Sequence, residues 1–356
     1  MTAPPYSTMP PSAFWRKSVA GRPAGEVDPV GRAKFRLSRT DRVATAGSCF
    51  AQHIARHLGQ SGFNYLVTEP VHPLIPARIA ASHGFGLFTA RYGNIYTTRQ
   101  MVQLLRRAYG EFQPADDIWI EADGRIIDPF RPQIQPDGFS SLHEFHADRA
   151  QHFAAIRQAV ESLDCLVFTL GLTECWMSIS DGAVYPVCPG VSGGTFDPDR
   201  HRFHNLTVGE SIADLIDIHD FILDRNSRAR FIITVSPVPL AATASGEHVL
   251  SATTLSKSIL RAAAGEFAAN RANVAYFPSY EIITGGFTRG AYFSGDLRSV
   301  TESGVAHVMQ LFLKHYGEDV GASRQTSDEP NASAEAAKIA DLVAVICEEE
   351  VLQRFA

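Results

Sequence analysis

The sequence predicts an α/β fold: a three-layer α/β/α sandwich in which helices cover both faces of a mostly parallel sheet. The first observation is that strand-like and helix-like segments alternate along the chain, which is typical of βαβ units. The second is that residues 165–170 and 231–235 are apolar apart from one threonine each, as expected of strands buried on both faces. The third is the length of 356 residues, which suits one large α/β domain with insertions.

The individual elements follow from the period of the apolar residues. The predicted strands span residues 42–47, 63–67, 164–170, 230–235 and 273–277. The predicted helices span residues 49–60, 97–109, 147–162, 208–224, 251–270 and 301–316.

The domain organisation is predicted to have three parts. Residues 1–40 form an arm rich in Pro, Gly and Arg, and residues 41–317 form the α/β domain. Residues 318–356 contain a polar linker and an amphipathic helix at about 333–353. Because that helix has one apolar face, we expect it to dock on the body or to mediate homo-oligomer formation.

Two segments of the α/β domain interrupt the alternation and are predicted to be inserts. Residues 110–146 are expected to form a hairpin and a loop, and residues 177–207 contain four glycines that indicate turns. Long irregular inserts in α/β enzymes often shape the substrate site.

Composition excludes several classes of protein. The net charge of −6 and the lack of any Lys or Arg run argue against nucleic-acid binding. No apolar stretch approaches the roughly 18 residues of a membrane-spanning helix, and the polar first residues predict a cytoplasmic protein. The five cysteines have no paired spacing, so we expect no metal site, and nothing indicates a cofactor.

The most informative motif is the turn between the first predicted strand and the first predicted helix. Ser48 follows Gly47 at this turn, and such turns lie at the ligand-binding edge of open α/β sheets. Free amides at the helix N-terminus favour developing negative charge there. Ser48 is therefore either a nucleophile or only the N-cap of the helix.

Three later segments also follow strands or precede the last helix of the domain. Residues 171–176 follow the strand at 165–170, residues 236–239 follow the strand at 231–235, and residues 292–298 precede the helix at 301–316. Since these positions meet at one sheet edge, the segments are expected to converge with Ser48 on one crevice.

The motif Gly47-Ser48-Cys49-Phe50-Ala51 resembles the signature of the GSCFA family, which is similar to the wider SGNH (GDSL-like) hydrolases. The resemblance covers about residues 40–316. It implies a flavodoxin-like sandwich with Ser48 as nucleophile. It also implies an oxyanion hole formed by the Ser48 amide, a glycine and a polar side chain.

The segment after the strand at 165–170 resembles the Gly-x-Asn-Asp block of SGNH hydrolases. Gly171 matches the block, Thr173 stands where Asn would donate to the oxyanion, and Glu174 stands where Asp would be. Asn94, which follows a turn glycine, is an alternative oxyanion donor.

The resemblance implies Asp-x-x-His near the end of the domain, and here Asp296 matches while Ser299 replaces the histidine. Since a serine hydroxyl needs a base, another histidine is expected to enter the site. His248 is the first choice, because it follows the strand at 231–235 through a loop. His201 and His204, in the second insert, are the alternatives.

Other residues have a functional and a structural interpretation. Cys49, at the helix N-terminus, is a thiol nucleophile or a small buried residue. Trp176 stacks on a sugar ring or fills the core, and Arg298 clamps an anionic substrate group or pairs with Asp296.

The leading expectation is a serine-dependent acyl-ester hydrolase or acyltransferase acting on an O-acylated carbohydrate or other small ester. Ser48 would attack, His248 would take and return the proton, and Asp296 would orient a cationic partner. The alternatives are a catalytically weak or inactive saccharide-binding protein and, last, a Cys49 thiol enzyme. A histidine nitrogen within hydrogen-bond reach of the Ser48 hydroxyl would favour the esterase.

Overall fold

A computed structural model describes residues 3–318 together with residues 351, 352 and 354. The strands are β1 (Val43–Gly47), β2 (Trp119–Ile120), β3 (Ile126–Ile127), β4 (Cys165–Leu170), β5 (Glu174–Ser178), β6 (Val184–Tyr185), β7 (His201–Asn205), β8 (Arg230–Val235) and β9 (Val274–Phe277). The α-helices are α1 (Cys49–Gln60), α2 (Ala77–Ser82), α3 (Thr98–Ala108), α4 (Leu142–Ser162), α5 (Val208–Leu223), α6 (Val249–Ala269), α7 (Ser279–Thr284) and α8 (Glu302–Tyr316).

The central sheet has four parallel strands in the order β1-β4-β8-β9. Alternate residues of β4 face opposite layers, as the pleat requires. Leu166, Phe168 and Leu170 belong to the core formed with α3, α4, α5 and α6. Cys165 and Val167 belong to the core formed with α1, α7 and α8. This arrangement confirms the predicted α/β fold and its three layers.

The predicted strand at 63–67 is wrong as a full strand. Only Tyr65 bridges Val43 of β1, while the Asn64 carbonyl and the Leu66 amide bond to Val43 on either side. Two residues later the Thr68 amide donates to the carbonyl of Thr89. The chain therefore leaves the edge of β1 before a ladder can form.

The two inserts contain small antiparallel sheets. Strands β2 and β3 pair as a hairpin within residues 110–146, and α4 already begins in that segment, five residues before the predicted start at 147. Strands β6, β5 and β7 form a second sheet in that order. This sheet begins at Glu174, before the predicted start of the insert at residue 177. Helices α2 and α7 were not predicted, because six residues carry too little periodic signal.

Short 3-10 and π turns between residues 5 and 26 provide the regular structure of the arm. The helix predicted at about 333–353 lies almost entirely outside the described residues. Among the helices that the structure describes, none combines the length and the apolar character needed to cross a membrane.

Candidate active site

Ser48 lies between β1 and α1, at the N-cap position of the helix. Its side chain makes no capping hydrogen bond. The residue is only 4% exposed, and its Oγ has no hydrogen-bond partner among the described residues. A buried hydroxyl without a partner is costly to a fold, so the simple cap interpretation does not explain this side chain.

Gly47 makes the turn before Ser48 possible. Its φ is +140°, and a Cβ at this position would come within 2.3 Å of the Thr169 carbonyl oxygen in β4. Only glycine allows both the conformation and the close approach. The Gly47 carbonyl accepts a hydrogen bond of 2.8 Å from the Ile95 amide. The predicted site residue Gly47 therefore shapes the backbone that presents Ser48.

Gly171 is brought directly beside Ser48. A Cβ on Gly171 would lie 3.0 Å from the Ser48 Cβ and 2.9 Å from the Tyr96 carbonyl oxygen. The Gly171 amide donates to that same carbonyl at 3.1 Å. It would have to leave this bond to serve as the oxyanion donor that the sequence predicts.

Thr173 is fully buried and uses its hydrogen-bonding groups within the fold. Its hydroxyl donates to Asn205 Oδ1 at 2.6 Å, and its amide donates to Ser256 Oγ at 3.0 Å. The hydroxyl proton is therefore directed at β7 rather than at Ser48. This bond arises because β5 and β7 pair directly after the predicted oxyanion block.

Asn94 is the second predicted oxyanion donor, and it is buried. Its Oδ1 accepts from Gln52 Nε2 at 3.2 Å, which leaves the Asn94 amide group as the donating end of the side chain. Gln52 lies one turn after Ser48 on α1. The structure therefore joins Asn94 to the same helix N-terminus as Ser48.

A polar cleft of about 590 Å³ opens beside Asn94 and Gln52. Its polar and charged lining includes Gln52, Asn94, Glu121, Arg125, Arg131 and Gln133. The C-terminal residues Val351 and Arg354 also line it. The cleft is large enough for one or two sugar rings and offers both donors and acceptors.

The structure also contains an apolar cavity of about 360 Å³. Leu172, Trp176, Phe203 and Leu240 line it, and Val191 lines both the cavity and the polar cleft. Leu172 and Leu240 also pack with Cys49 and Tyr96 in one buried cluster. The cavity therefore begins next to the nucleophile position, and Cys49 has a packing role.

Glu174 and Trp176 both face the apolar cavity. Burial raises the pKa of Glu174, while its Oε1 accepts a hydrogen bond of 2.7 Å from the Thr243 hydroxyl. The Trp176 ring makes edge contacts with Phe196 and Phe203. These contacts hold the indole as part of the cavity wall.

Asp296 is bound by its own loop. Ser299 Oγ donates to Asp296 Oδ2 at 2.5 Å, and the amides of Arg298 and Ser299 donate to Oδ1 at 3.0 and 2.9 Å. The hydrogen bond from Ser299, followed by those of the two amides, lowers the pKa of Asp296 to about 2. Arg298 Nε donates to the Pro239 carbonyl at 3.2 Å, which ties this loop to the residues after β8.

The three candidate histidines use ring nitrogens elsewhere. His248 is exposed and caps α6, because its Nδ1 accepts from the Leu250 amide at 3.2 Å. His201 Nδ1 accepts from the Asp197 amide at 3.1 Å, and His204 Nε2 lies 2.8 Å from a Glu210 carboxylate oxygen. Among the described residues, no ring nitrogen is hydrogen-bonded to Ser48 Oγ. The base assignment to His248 stays a prediction.

Lys257 is the site residue that the sequence analysis missed. It lies on α6, is 2% exposed, and donates from Nζ to the Gly171 carbonyl oxygen at 2.6 Å. A signal was available in the sequence, because Lys257 is spaced three and seven residues from Leu260 and Ala264 on the buried side of the helix. A lysine at such a position is uncommon, because lysine is almost never fully buried unless it is paired.

The class of protein is thus an α/β protein with a buried serine at the carboxyl edge of a parallel sheet. The sequence model of the GSCFA family matches residues 42–312, and the chain belongs to this family. A comparison with curated proteins found no match.

Proposed function

We propose that this protein is a serine-dependent acyl-ester hydrolase or acyltransferase with Ser48 as its nucleophile. One observation carries the proposal: Ser48 Oγ is buried at the N-terminus of α1 without a hydrogen-bond partner among the residues that the structure describes. A hydroxyl kept there without a capping bond has no structural role that would compete with a role as nucleophile. The similarity to SGNH hydrolases, which rests on Gly47-Ser48 and on Gly171, supports the same chemistry.

The helix N-terminus favours the negative charge of an acyl-transfer intermediate. Helix α1 has 12 residues, and its aligned peptide dipoles place partial positive charge at its N-terminus. Preorganised donors of this kind contribute much of the catalysis in acyl transfer. We take the Asn94 side chain, held by Gln52, as the side-chain oxyanion donor, because the Thr173 hydroxyl already donates to Asn205.

The two cavities support an ester substrate that has an apolar acyl group and a polar alcohol group. The apolar cavity beside Leu172 and Leu240 suits the acyl group, because burying hydrocarbon there releases water from apolar surface. The polar cleft beside Asn94 suits a hydroxyl-rich alcohol such as a carbohydrate. We therefore propose an O-acylated carbohydrate or another small ester as substrate.

The reaction would proceed in two steps. Ser48 Oγ attacks the acyl carbon, a base takes the hydroxyl proton and returns it to the departing alcohol, and an acyl-enzyme remains. Water or an acceptor hydroxyl then attacks the acyl carbon while its proton passes back to Ser48. The sequence predicts His248 as the base, with Asp296 stabilising a cationic partner.

A second candidate function is saccharide binding without catalysis. The observation in its favour is that Ser299 occupies the position expected for a histidine and binds Asp296 instead. In this case the polar cleft would hold the saccharide and Ser48 would be inert.

Labelling with a fluorophosphonate separates the two functions without knowledge of the substrate. We expect the full-length protein to form a covalent adduct that peptide mass spectrometry maps to Ser48, and Ser48→Ala to give no adduct. A wild-type protein that resists the probe and cleaves no activated acetyl ester would favour the binding protein.

A further inference from the structure

We propose that Lys257 is the general base that activates Ser48, an inference that rests on the acyl-transfer function proposed above. The observation behind it is that Ser48 and Lys257 contact one residue, Gly171. The Ser48 Cβ would lie 3.0 Å from a Cβ on Gly171, and Lys257 Nζ lies 2.6 Å from the Gly171 oxygen.

The position of Lys257 is unusual for a lysine. The residue is 2% exposed, and its neighbours on the same face of α6 are the buried residues Leu260 and Ala264. Burial disfavours the charged form of an amine, and buried lysines are therefore suited to act as bases. One acceptor of a Lys257 hydrogen bond is the main-chain carbonyl of Gly171, a bond that a neutral amine can donate as an ammonium group does.

The lysine side chain is also long and flexible, as the role requires. Four methylene groups link Nζ to the main chain, so rotation of the last bonds can move Nζ from the Gly171 oxygen towards Ser48 Oγ. Catalytic hydrogen bonds are often long in free enzymes and shorten when substrate binds. Serine–lysine pairs replace serine–histidine pairs in some hydrolases on unrelated folds.

The candidate histidines make other hydrogen bonds, and these bonds can persist if Lys257 is the base. His248 caps α6 through Nδ1, and His204 is paired with Glu210. Ser299, at the expected histidine position, is bound to Asp296. A base on α6 would explain how Ser48 could be activated although Ser299 stands where the family resemblance implies a histidine.

The proposed step balances within the protein and its substrate. The neutral amine of Lys257 takes the proton of Ser48 as Oγ bonds to the acyl carbon, and the resulting ammonium gives that proton to the departing alkoxide. In the second step the amine takes a proton from water or an acceptor hydroxyl, whose oxygen bonds to the acyl carbon. The bond from Ser48 Oγ to the acyl carbon breaks, and the ammonium returns the proton to Oγ.

The test compares Lys257→Met with Lys257→Arg in the full-length protein. The two readouts are the rate of fluorophosphonate labelling of Ser48 and kcat on an activated acetyl ester. We expect the labelling rate and kcat of both variants to fall by about 10²–10⁴-fold, the usual effect of removing a general base. Arginine roughly keeps the length of the side chain and would replace a lysine that acted only as a fixed cation, but it stays protonated and takes up no proton.

The matched control is Lys34→Met. Lys34 also donates from Nζ to main-chain carbonyls, those of Ala268 and Arg271, but it lies on the arm and is exposed. We expect this variant to retain wild-type labelling and turnover. Melting temperatures of all variants identify any loss that arises from misfolding.

Rescue provides a third measurement that a structural role would not change. Ethylamine added to Lys257→Ala should raise the labelling rate of this variant at least tenfold, whereas guanidinium at the same concentration should not raise it.

Three results would overturn the proposal. The first is a Lys257→Arg variant that stays within threefold of wild type, because it would make Lys257 a fixed cation. The second is a Lys257→Met variant that keeps its activity. The third is a loss in every Lys257 variant that ethylamine does not reverse. If the wild type itself neither labels nor cleaves an ester, the proposed function fails before any variant is made.

Discussion

Gly171 approaches Ser48 so closely that a Cβ on Gly171 would lie 3.0 Å from the Ser48 Cβ. The contact joins the carboxyl ends of β1 and β4, which pair with Gly47 opposite Thr169. It also joins the nucleophile position to α6, because the Gly171 carbonyl accepts from Lys257. The site therefore depends on a position without a side chain.

The variant Gly171→Ala tests this dependence. The added methyl group would come within 2.9 Å of the Tyr96 carbonyl oxygen, which is main chain and has little freedom to move. We expect the free energy of unfolding to fall by about 1–3 kcal/mol, the usual cost of overpacking. We also expect kcat on an acetyl ester to fall at least tenfold, because Ser48 must shift. Chemical denaturation and ester assays measure the two effects.

The control for this variant is Gly25→Ala, since a Cβ on Gly25 meets no atom within 4 Å. It should change neither stability nor turnover. A Gly171→Ala variant that behaves like this control would show that the close contact with Ser48 is unimportant.

Ser48→Ala distinguishes a nucleophile from a helix cap. Because Ser48 Oγ makes no hydrogen bond within the described part of the chain, removing it should leave the free energy of unfolding unchanged or slightly raise it. Ester turnover should be abolished. The matched control is Thr207→Ala, because Thr207 caps α5 through its side chain in a complete capping box. That change should cost about 0.5–2 kcal/mol and leave turnover intact.

The companion variant Cys49→Ala addresses the thiol alternative. Cys49 is buried against Tyr96, Leu172 and Leu240, so its loss should lower stability and spare most of the activity. If Cys49→Ala were inactive while Ser48→Ala still turned over ester, the nucleophile would be the thiol.

The sequence predicted the layers and the turn at Ser48 because both depend on local patterns. The apolar runs at β4 and β8 identify strands that are buried on both faces, and Gly47-Ser48 lies where a strand must turn into a helix. By contrast, Tyr65 makes only one bridge. Its local pattern resembles a strand, but the number of pairing partners depends on where the chain goes next.

The details of the site were harder to predict because they depend on distant contacts. Thr173 has the right place in the chain for an oxyanion donor, but β7 supplies Asn205 as its partner from 32 residues away. Lys257 reaches Gly171 across 86 residues. A single sequence contains the side chains but not these pairings.

His248→Ala separates the base inferred from the sequence from the base inferred from the structure. If Lys257 takes the proton, His248→Ala should keep kcat within about threefold of wild type. It should still lose about 0.5–2 kcal/mol of stability, because the cap of α6 is lost. A fall in kcat of about 10²–10⁴-fold would instead identify His248 as the base. His201→Ala and His204→Ala, measured alongside, test the two remaining histidines.

Acid should destabilise the protein through the buried pair of His152 and Glu69. Burial, together with the charge of Arg131, lowers the pKa of His152 to about 4, although its Nδ1 lies 2.9 Å from Glu69 Oε2. The unfolded chain, with an ordinary histidine pKa of about 6.5, therefore binds a proton that the folded state does not bind between pH 6.5 and 4. Stability must fall as the pH falls through this window.

The same pair contributes a second loss at lower pH. Burial alone would raise the pKa of Glu69, but the hydrogen bond to His152 and the charges of His152 and Arg131 lower it to about 2. The stability that this carboxylate provides is present above its unfolded pKa of about 4.3. It is lost as the pH falls towards 2.

Urea denaturation between pH 7 and 4.5 measures the histidine contribution. We expect the wild type to lose about 1–3 kcal/mol over this range, since one pKa unit corresponds to about 1.4 kcal/mol. His152→Gln keeps a hydrogen-bonding side chain without a titrating ring, so its pH dependence should be flatter by that amount. His83→Gln is the control, because His83 is only partly buried and its ring Nδ1 bonds within its own helix turn, to Ile79 and Ser82. Parallel curves for wild type and His152→Gln would show that another group causes the acid sensitivity.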